Sequence, residues 1–524
     1  MSTQAGKTVR IVGLMMAATV LAKLLGLLRS VWLASLYGAG MEAEAFSAAS
    51  RLTLTVFDVV LGAAVAVCFI PLYNRCLAEG EEEARRFTDR FISLIILLTA
   101  AVSAVGMIAS AGVIALMAPG LDEQTARLAS SLLQKMLPMI LFSGLAACWT
   151  GVLQSHGRFL LPAVMSAVSN AFVLLYFWLF NSRFGIQGLA VAYLLAWMLQ
   201  CVVLLPGLCR IRFRFRPSLA LGDEMMRKAY RMAPQAMVSS WLTPVMTAAG
   251  LFFASMVKYT GERPVPCLEY ATQLLLIASG VIVYAVCNYV FPSLSKLEAE
   301  GDGLRFRVTL RQALTAALTV VVPISLILCC VSHQAVSVVY ERGQFSAQAT
   351  VLTAETLANL APAMIAMAVT ELLNRAFFAK GKGRVPTVAS LVGMAVFLLA
   401  CVLFVSVWGR GIQWIARAMV LGQAAAAAVL CVAVLGEDRG FFDRDFLREM
   451  GKLVPAGAGC WLGAEAVKRG LALCWMEEGF WTRLLTAGVS AVMGLLIFLI
   501  VAWLLKSDPL RQLLKKKTEG EDGV

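Results

Sequence analysis

Charge is what this chain lacks most. Of its 524 residues only 15% are Asp, Glu, Lys or Arg, against about 25% in an average soluble domain. That leaves too little polar surface for a fold that lives in water. Histidine is nearly absent: His156 and His333 are the only two, both at the edges of apolar runs, and they read as surface residues rather than ligands or bases. No G-x-x-x-x-G-K-[ST] loop occurs, which excludes ATP hydrolysis by that route. The absence of H-E-x-x-H and G-x-S-x-G removes the commonest zinc-peptidase and serine-hydrolase arrangements. The 13 cysteines contain no C-x-x-C pair, and most of them, such as Cys68, Cys148, Cys201, Cys287, Cys401, Cys431 and Cys460, lie inside apolar runs as small hydrophobes. There is no regular arginine ladder of the voltage-sensing kind. The expectation is a protein that is not an enzyme and that carries no metal or cofactor.

What is present is apolar length. The chain is 60% hydrophobic, with a mean hydropathy of +0.79. Runs of about 20 apolar residues recur along it, each long enough to cross hydrocarbon at about 1.5 Å per residue. Lipid offers the backbone no hydrogen-bond partner, so the segments are helices, and the fold class is an all-α polytopic membrane protein. The segmentation predicts 14 spans, near 10–37, 44–72, 91–117, 126–153, 162–180, 186–206, 234–257, 266–292, 309–332, 349–378, 386–407, 412–435, 453–474 and 482–505. The first run lacks an obvious small-residue cleavage site and is expected to be a retained span. The net charge of +13 does not point to nucleic acid, because Lys and Arg gather in alternate connections instead of along one stripe. That bias places both termini in the cytoplasm.

The chain also repeats itself. Pro71 to Gly80 closes the second span and Pro292 to Gly301 the eighth, an offset of 221. Gly157-Arg158 followed by Pro162 is echoed by Gly383-Arg384 followed by Pro386, with 224 residues between the two prolines. An offset of six spans preserves orientation, which describes parallel repeats. The expected partition is an N-lobe over 1–215 (spans 1–6), a C-lobe over 216–436 (spans 7–12), and spans 13–14 with a basic tail over 437–524.

Charges inside the spans are the functional candidates, since an ionisable side chain near the middle of a membrane helix costs roughly 2.5–3.5 kcal/mol even on a lenient scale. On the first span Lys23, Gly26 and Ser30 share a face, with Arg29 on one flank. On the second, Glu44, Arg51 and Asp58 recur every seven residues and drift only about 20° per step, joined by Ser47, Thr55 and Gly62. A surplus of one cation over the two acids suits an anionic cargo, and arginine suits phosphate through its fork. Internal pairing of the same five charges stays open. Elsewhere, Glu269, Thr272 and Gln273 lie in the eighth span, and Glu371 and Arg375 stand at i, i+4 in the tenth. Lys135 and Arg417 are either hydrated or paired.

Several of these residues fall in recognisable patterns. Lys23, Gly26 and Arg29 fit Arg-x-x-Gly-x-x-Arg, and Gly38-Ala39-Gly40 with Glu44-Ala45-Phe46 fit G-A-G-x-x-x-D-A-F. Phe291-Pro292-Ser293-Leu294-Ser295, Arg342-Gly343-Gln344-Phe345-Ser346 and Ala376-Phe377-Phe378-Ala379 through Pro386 continue the series. In these stretches, which span essentially the whole chain, it resembles the MurJ/MviN family of lipid II flippases. That family sits in the MOP superfamily with MATE exporters and polysaccharide-lipid flippases. The sequence departs from the pattern at Ser30, Phe57, Gly62-Ala63-Ala64 and Gln273, where relatives carry acids or arginines.

The resemblance implies a MATE/MOP-like fold of two six-helix lobes plus two C-terminal helices, in a bacterial cell membrane. It implies movement of undecaprenyl-diphosphate-linked peptidoglycan precursor (lipid II) to the outer leaflet by alternating access. Substrate contacts would then fall to Lys23, Arg29 and Arg51, with Glu44 and Asp58 balancing charge and Gln273 standing where an arginine is usual. Membrane lipids and, as a candidate, the cell-wall synthesis machinery are the implied partners; the coupling ion is open. Two other classes remain: another exporter of the superfamily, or a non-transporting partner in envelope assembly.

Overall fold

A computed structural model describes residues 2–57, 64–218, 220, 222–259, 261–474 and 479–506. All regular structure among them is helical. Contacts divide the chain into two compact units, Met1–Met256 and Val257–Val524. Unit 1 holds α1 (Ser2–Tyr37), α2 (Met41–Phe57), α3 (Ile70–Glu79), α4 (Glu81–Ile108), α5 (Ser110–Met117), α6 (Glu123–Met136), α7 (Met139–Ser155), α8 (Leu160–Leu179), α9 (Asn181–Arg210), α10 (Glu224–Ser240) and α11 (Leu242–Met256). Unit 2 holds α12 (Pro264–Ala299), α13 (Gly303–Cys330), α14 (Ser332–Tyr340), α15 (Ala347–Leu360), α16 (Ala363–Ala379), α17 (Arg384–Cys401), α18 (Ile412–Glu437), α19 (Arg444–Cys474) and α20 (Phe480–Leu504).

Among the described residues nine helices are long and apolar enough to span a membrane, or ten if the bent pair α15–α16 is one span. Several of the remaining expected spans are interrupted. The second, for example, runs as α2, then a π-helical turn at Ala64–Phe69, then α3. Asp58 and Gly62, the far end of its polar stripe, lie outside the described residues.

The internal repeat takes a concrete form. In unit 1, α2 packs on α6, α4 on α7, α7 on α9, and α8 on α9; in unit 2, α12 packs on α15, α13 on α16, α16 on α18, and α17 on α18. Glu123 and Ala347 begin helices of 14 residues, and Met139 and Ala363 begin helices of 17, both pairs offset by 224. Each pair is broken by a proline, Pro138 or Pro362, which cannot donate to the turn before it. The α15–α16 break bends the chain by 44°. Even the start is alike: Asp122 and Ser346 cap α6 and α15, each accepting the backbone N–H three residues on. Glycines in the left-handed region close the equivalent ends, Gly80 with Gly301 and Gly157 with Gly381. Gly157 therefore pairs with Gly381 and not with Gly383, the partner in the sequence echo, because the helix end and not the Gly-Arg dipeptide is what repeats.

Both breaks free a carbonyl, and both are mended alike. Ser103 on α4 donates its hydroxyl to Leu137 O at 3.0 Å, and Ser325 on α13 donates to Ala361 O at 2.9 Å. Each carbonyl also accepts one short-range amide, from Ile140 at 3.0 Å and Met364 at 3.1 Å. The i+4 amide that would have served each carbonyl turns to the proline carbonyl instead, Leu141 N–H to Pro138 O and Ile365 N–H to Pro362 O at 3.2 Å each, and the hydroxyl adds a second donor in its place.

The C-terminal pair α19–α20 packs through small residues: a Cβ added at Gly494 would stand 3.0 Å from the Ala464 Cβ and 3.1 Å from Cys460 O. Lys468 ties α19 to Cys330 O at 2.9 Å, and Arg483 ties α20 to Glu341 at 2.6 Å. Partial burial alone would raise the Glu341 carboxyl. Hydrogen bonds from Arg483, Ser337 and Thr350 outweigh that and hold it below its ordinary value.

Two outcomes are expected. Ser103→Ala and Ser325→Ala each destabilise the protein by about 0.5–1.5 kcal/mol, additively in the double variant because the two serines share no partner; unfolding in detergent micelles measures it. For Glu341, a depressed folded pKa means its contribution is full above the unfolded carboxyl value of about 4.3 and is lost as pH falls through the folded value. Acid should therefore lower the melting temperature of the native protein more than that of Glu341→Gln, whose melting profile lacks this component.

Candidate functional site

The first span carries its charge into the body of unit 1. Arg29 Nη1 donates to Asn170 Oδ1 on α8 at 2.8 Å, and its guanidinium carbon lies 5.1 Å from the centre of the Tyr193 ring on α9. Asn170 is oriented in turn, since its Nδ2 donates to Ala22 O at 3.1 Å on α1 itself. One amide thus uses its oxygen for the arginine and its nitrogen for the arginine's own helix. The Tyr193 ring meets Phe46 of α2 edge-on at 5.0 Å, so the cation–π face is fixed by a third element.

The guanidinium of this seat is half-buried. Its partners are a neutral amide and a ring, and among the described residues no carboxylate lies within ion-pair distance of it. Its Nε is buried and has no hydrogen-bond partner. Among the described residues the positive charge is held in place by an amide and a ring and not by an ion pair. Donors left over on a fixed fork are what a planar anion or a phosphate would engage.

The other sequence-derived residues are distributed as follows. Lys23 is half-buried on α1 and forms no hydrogen bond or ion pair among the described residues. Glu44 is 2% exposed on α2, while Arg51, two turns further along that helix, is half-buried. Gln273 is half-buried on α12 in unit 2. Asp58 lies outside the described residues. Ser30, in the place of an acid, turns its hydroxyl onto Gly26 O at 3.2 Å, a local bond that adds no charge beside Arg29. Lys135 is paired, donating to Gln187 of α9 at 2.5 Å, and Arg417 donates to Asn359 at 2.7 Å while stacking on Trp414 at 4.3 Å. Glu371 and Arg375 act on each other electrostatically along α16.

Asn170 and Tyr193 are the neighbours of Arg29 that sequence reasoning passed over. The available signal was the single amide side chain in a largely apolar run, Ala163 to Leu179, where it needs a partner. No group of three or more potential metal ligands occurs among the described residues.

Similarity to known proteins bears on the fold and the family. The structure resembles a multidrug resistance MATE family transporter of the MOP superfamily in its inward-facing conformation, with a TM-score of 0.67 at 14% identity over 80% of this chain and 95% of that one. It resembles lipid II flippase MurJ in an inward closed conformation more fully, with a TM-score of 0.78 at 21% identity, covering 96% of this chain and 99% of that one. The fold is thus that of the MOP-type helical transporters. The profile of the lipid II flippase MurJ family matches residues 33–471, and the chain belongs to that family. Among relatives, a probable lipid II flippase MurJ of Synechocystis is 27% identical over 398 residues, 73% of each chain. One from Bdellovibrio bacteriovorus is 24% identical over 511 residues, 95% of each. The protein is a multi-pass protein of the bacterial inner membrane.

The Arg29 seat makes a direct prediction. Asn170→Leu strands the guanidinium beside apolar atoms and should cost about 1–3 kcal/mol, the usual penalty for an unsatisfied buried polar partner. Asn170→Asp, by contrast, supplies a carboxylate at the same place and should leave the protein at least as stable as Asn170→Leu by several degrees. Thermal unfolding of the two variants side by side checks the order.

Proposed function

We propose that this chain is a lipid II flippase, moving the undecaprenyl-diphosphate-linked precursor from the inner to the outer leaflet by alternating access. Membership of the MurJ family and the array of apolar helices support the class. The observation that carries the site is the un-neutralised Arg29 guanidinium, held by Asn170 and Tyr193 with a buried Nε left over. In this reading Arg29 is the principal contact for the diphosphate. Lys23 and Arg51 add positive charge, Glu44 and Asp58 balance the site when it is empty, and Gln273 provides a neutral polar contact from unit 2. Holding the cation on an amide instead of a carboxylate matters here: no ion pair must be broken before an anion binds, so the charge is available at little cost. The same reading keeps 14 spans, both termini in the cytoplasm, and cell-wall synthesis enzymes as neighbours that receive the flipped product.

Complementation of cells depleted of their lipid II flippase tests this. The wild type should restore growth. Arg29→Ala should lose a charge-assisted contact of about 1.5–3 kcal/mol, which is about 10- to 100-fold in binding, and fail to rescue. Asn170→Asp should also impair rescue despite being well folded, because it neutralises Arg29 internally. Full rescue by both variants would remove Arg29 from the site. A wild type that inserts correctly yet does not rescue would reject lipid II as cargo and favour another MOP-type exporter.

A further inference from the structure

Each unit has a cleft at the end that bears many of its loop cations, and the two clefts correspond. In unit 1 the lining includes Leu77, Arg85, Thr88 and His156, and in unit 2 Glu298, Arg307, Leu310 and Lys380. The repeat pairs them in order, at offsets of 221, 222, 222 and 224. The closing wall is in both cases the segment that follows a long helix, 211–214 after α9 and 438–441 after α18.

The walls differ in charge. In unit 2 the wall neutralises the cleft: Arg307 Nη2 donates to Asp438 at 2.7 Å, and Lys380 and Lys382 reach Glu437, the last residue of α18, at 2.8 and 2.7 Å. In unit 1 the wall brings Arg212 and Arg214, and among the described residues neither forms an ion pair. Arg85, the counterpart of Arg307, has only Asp89 at 3.9 Å, and its buried Nε lacks a hydrogen-bond partner. His156 bonds Val152 O through Nδ1 at 2.9 Å, which leaves Nε2 for another group. Two acids share this lining, Glu81 and Glu82, but Glu82 is taken by Arg86 at 2.8 Å.

The backbone carries a second sign. Arg212 ends α9 with φ = 54°, its N–H on Cys209 O at 3.1 Å, a position where glycine is the usual residue. A long charged side chain kept in a left-handed conformation is a strain that needs a return, and such strain gathers at functional sites.

We propose that the cleft of unit 1, about 310 Å³ in volume, binds a phosphate ester or diphosphate group in the place that Glu437 and Asp438 occupy in unit 2. Arg85, Arg212 and Arg214 supply the donors. The site is separate from Arg29 and stands whichever cargo the protein carries. The phosphate is either that of a lipid headgroup or a free anion.

The test uses the full-length protein in phosphate-free buffer. Inorganic pyrophosphate is titrated calorimetrically in micelles, and phosphatidylglycerol retention is read by native mass spectrometry from mixed phosphatidylglycerol–phosphatidylcholine nanodiscs. Saturable binding of at least one probe is expected. Arg212→Gly should weaken it by about tenfold or more while the melting temperature holds or rises, since glycine relieves the strain as it removes the charge. Arg214→Gln should weaken it as well, and Arg127→Gln, an exposed arginine outside the cleft, should not. Retention of phosphatidylglycerol that pyrophosphate displaces identifies a lipid headgroup, and binding of pyrophosphate alone identifies a free anion. Absence of saturable binding, or binding unchanged by Arg212→Gly and Arg214→Gln, would overturn the proposal.

Discussion

A polar group inside a bilayer must find its partner within the protein, and that single requirement organises this structure. It forces every regular element to be a helix. It accounts for the serines that mend the proline breaks, where Ser103 and Ser325 reach across to Leu137 O and Ala361 O. It accounts for Lys135 on Gln187 and for Arg29 on Asn170, where amides carried by neighbouring helices hold half-buried cations. Arg417 is held in the same way, by the Asn359 amide and the Trp414 ring.

Much of this was legible in the sequence, because the rules involved are local. Apolar length and the scarcity of charge give the helical membrane class, and fixed offsets between prolines and glycines give the repeat. The polar stripe from Glu44 to Arg51 follows from heptad spacing alone. Other features depend on residues distant in the chain. Asn170 and Tyr193 stand 141 and 164 positions from Arg29, and no periodicity links a span to its neighbours in space. The left-handed backbone at Arg212 is equally invisible, since arginine gives none of the warning that glycine would. The Gly157–Gly383 echo went to the wrong glycine for a similar reason: a dipeptide can slide by two residues, whereas a helix end cannot.

The two units show how far a repeated frame constrains its contents. Helix lengths, break points and even the capping side chains at Asp122 and Ser346 recur, because backbone hydrogen bonding leaves few alternatives in lipid. Charge is not constrained in the same way. At the loop end of one unit, Arg307 and Lys380 are matched by acids; at the other, Arg85 and His156 face more arginine. The frame is shared, and the electrostatics are individual.

The mended proline breaks have a consequence for how the molecule would move. A helix with a broken ladder usually bends freely at that point, in any direction. Here the carbonyl at each break keeps a short-range amide and gains one hydroxyl from a neighbouring helix, so the break is anchored to α4 in unit 1 and to α13 in unit 2. Each unit thereby keeps its broken helix fastened to a neighbour by nothing more than one serine hydroxyl.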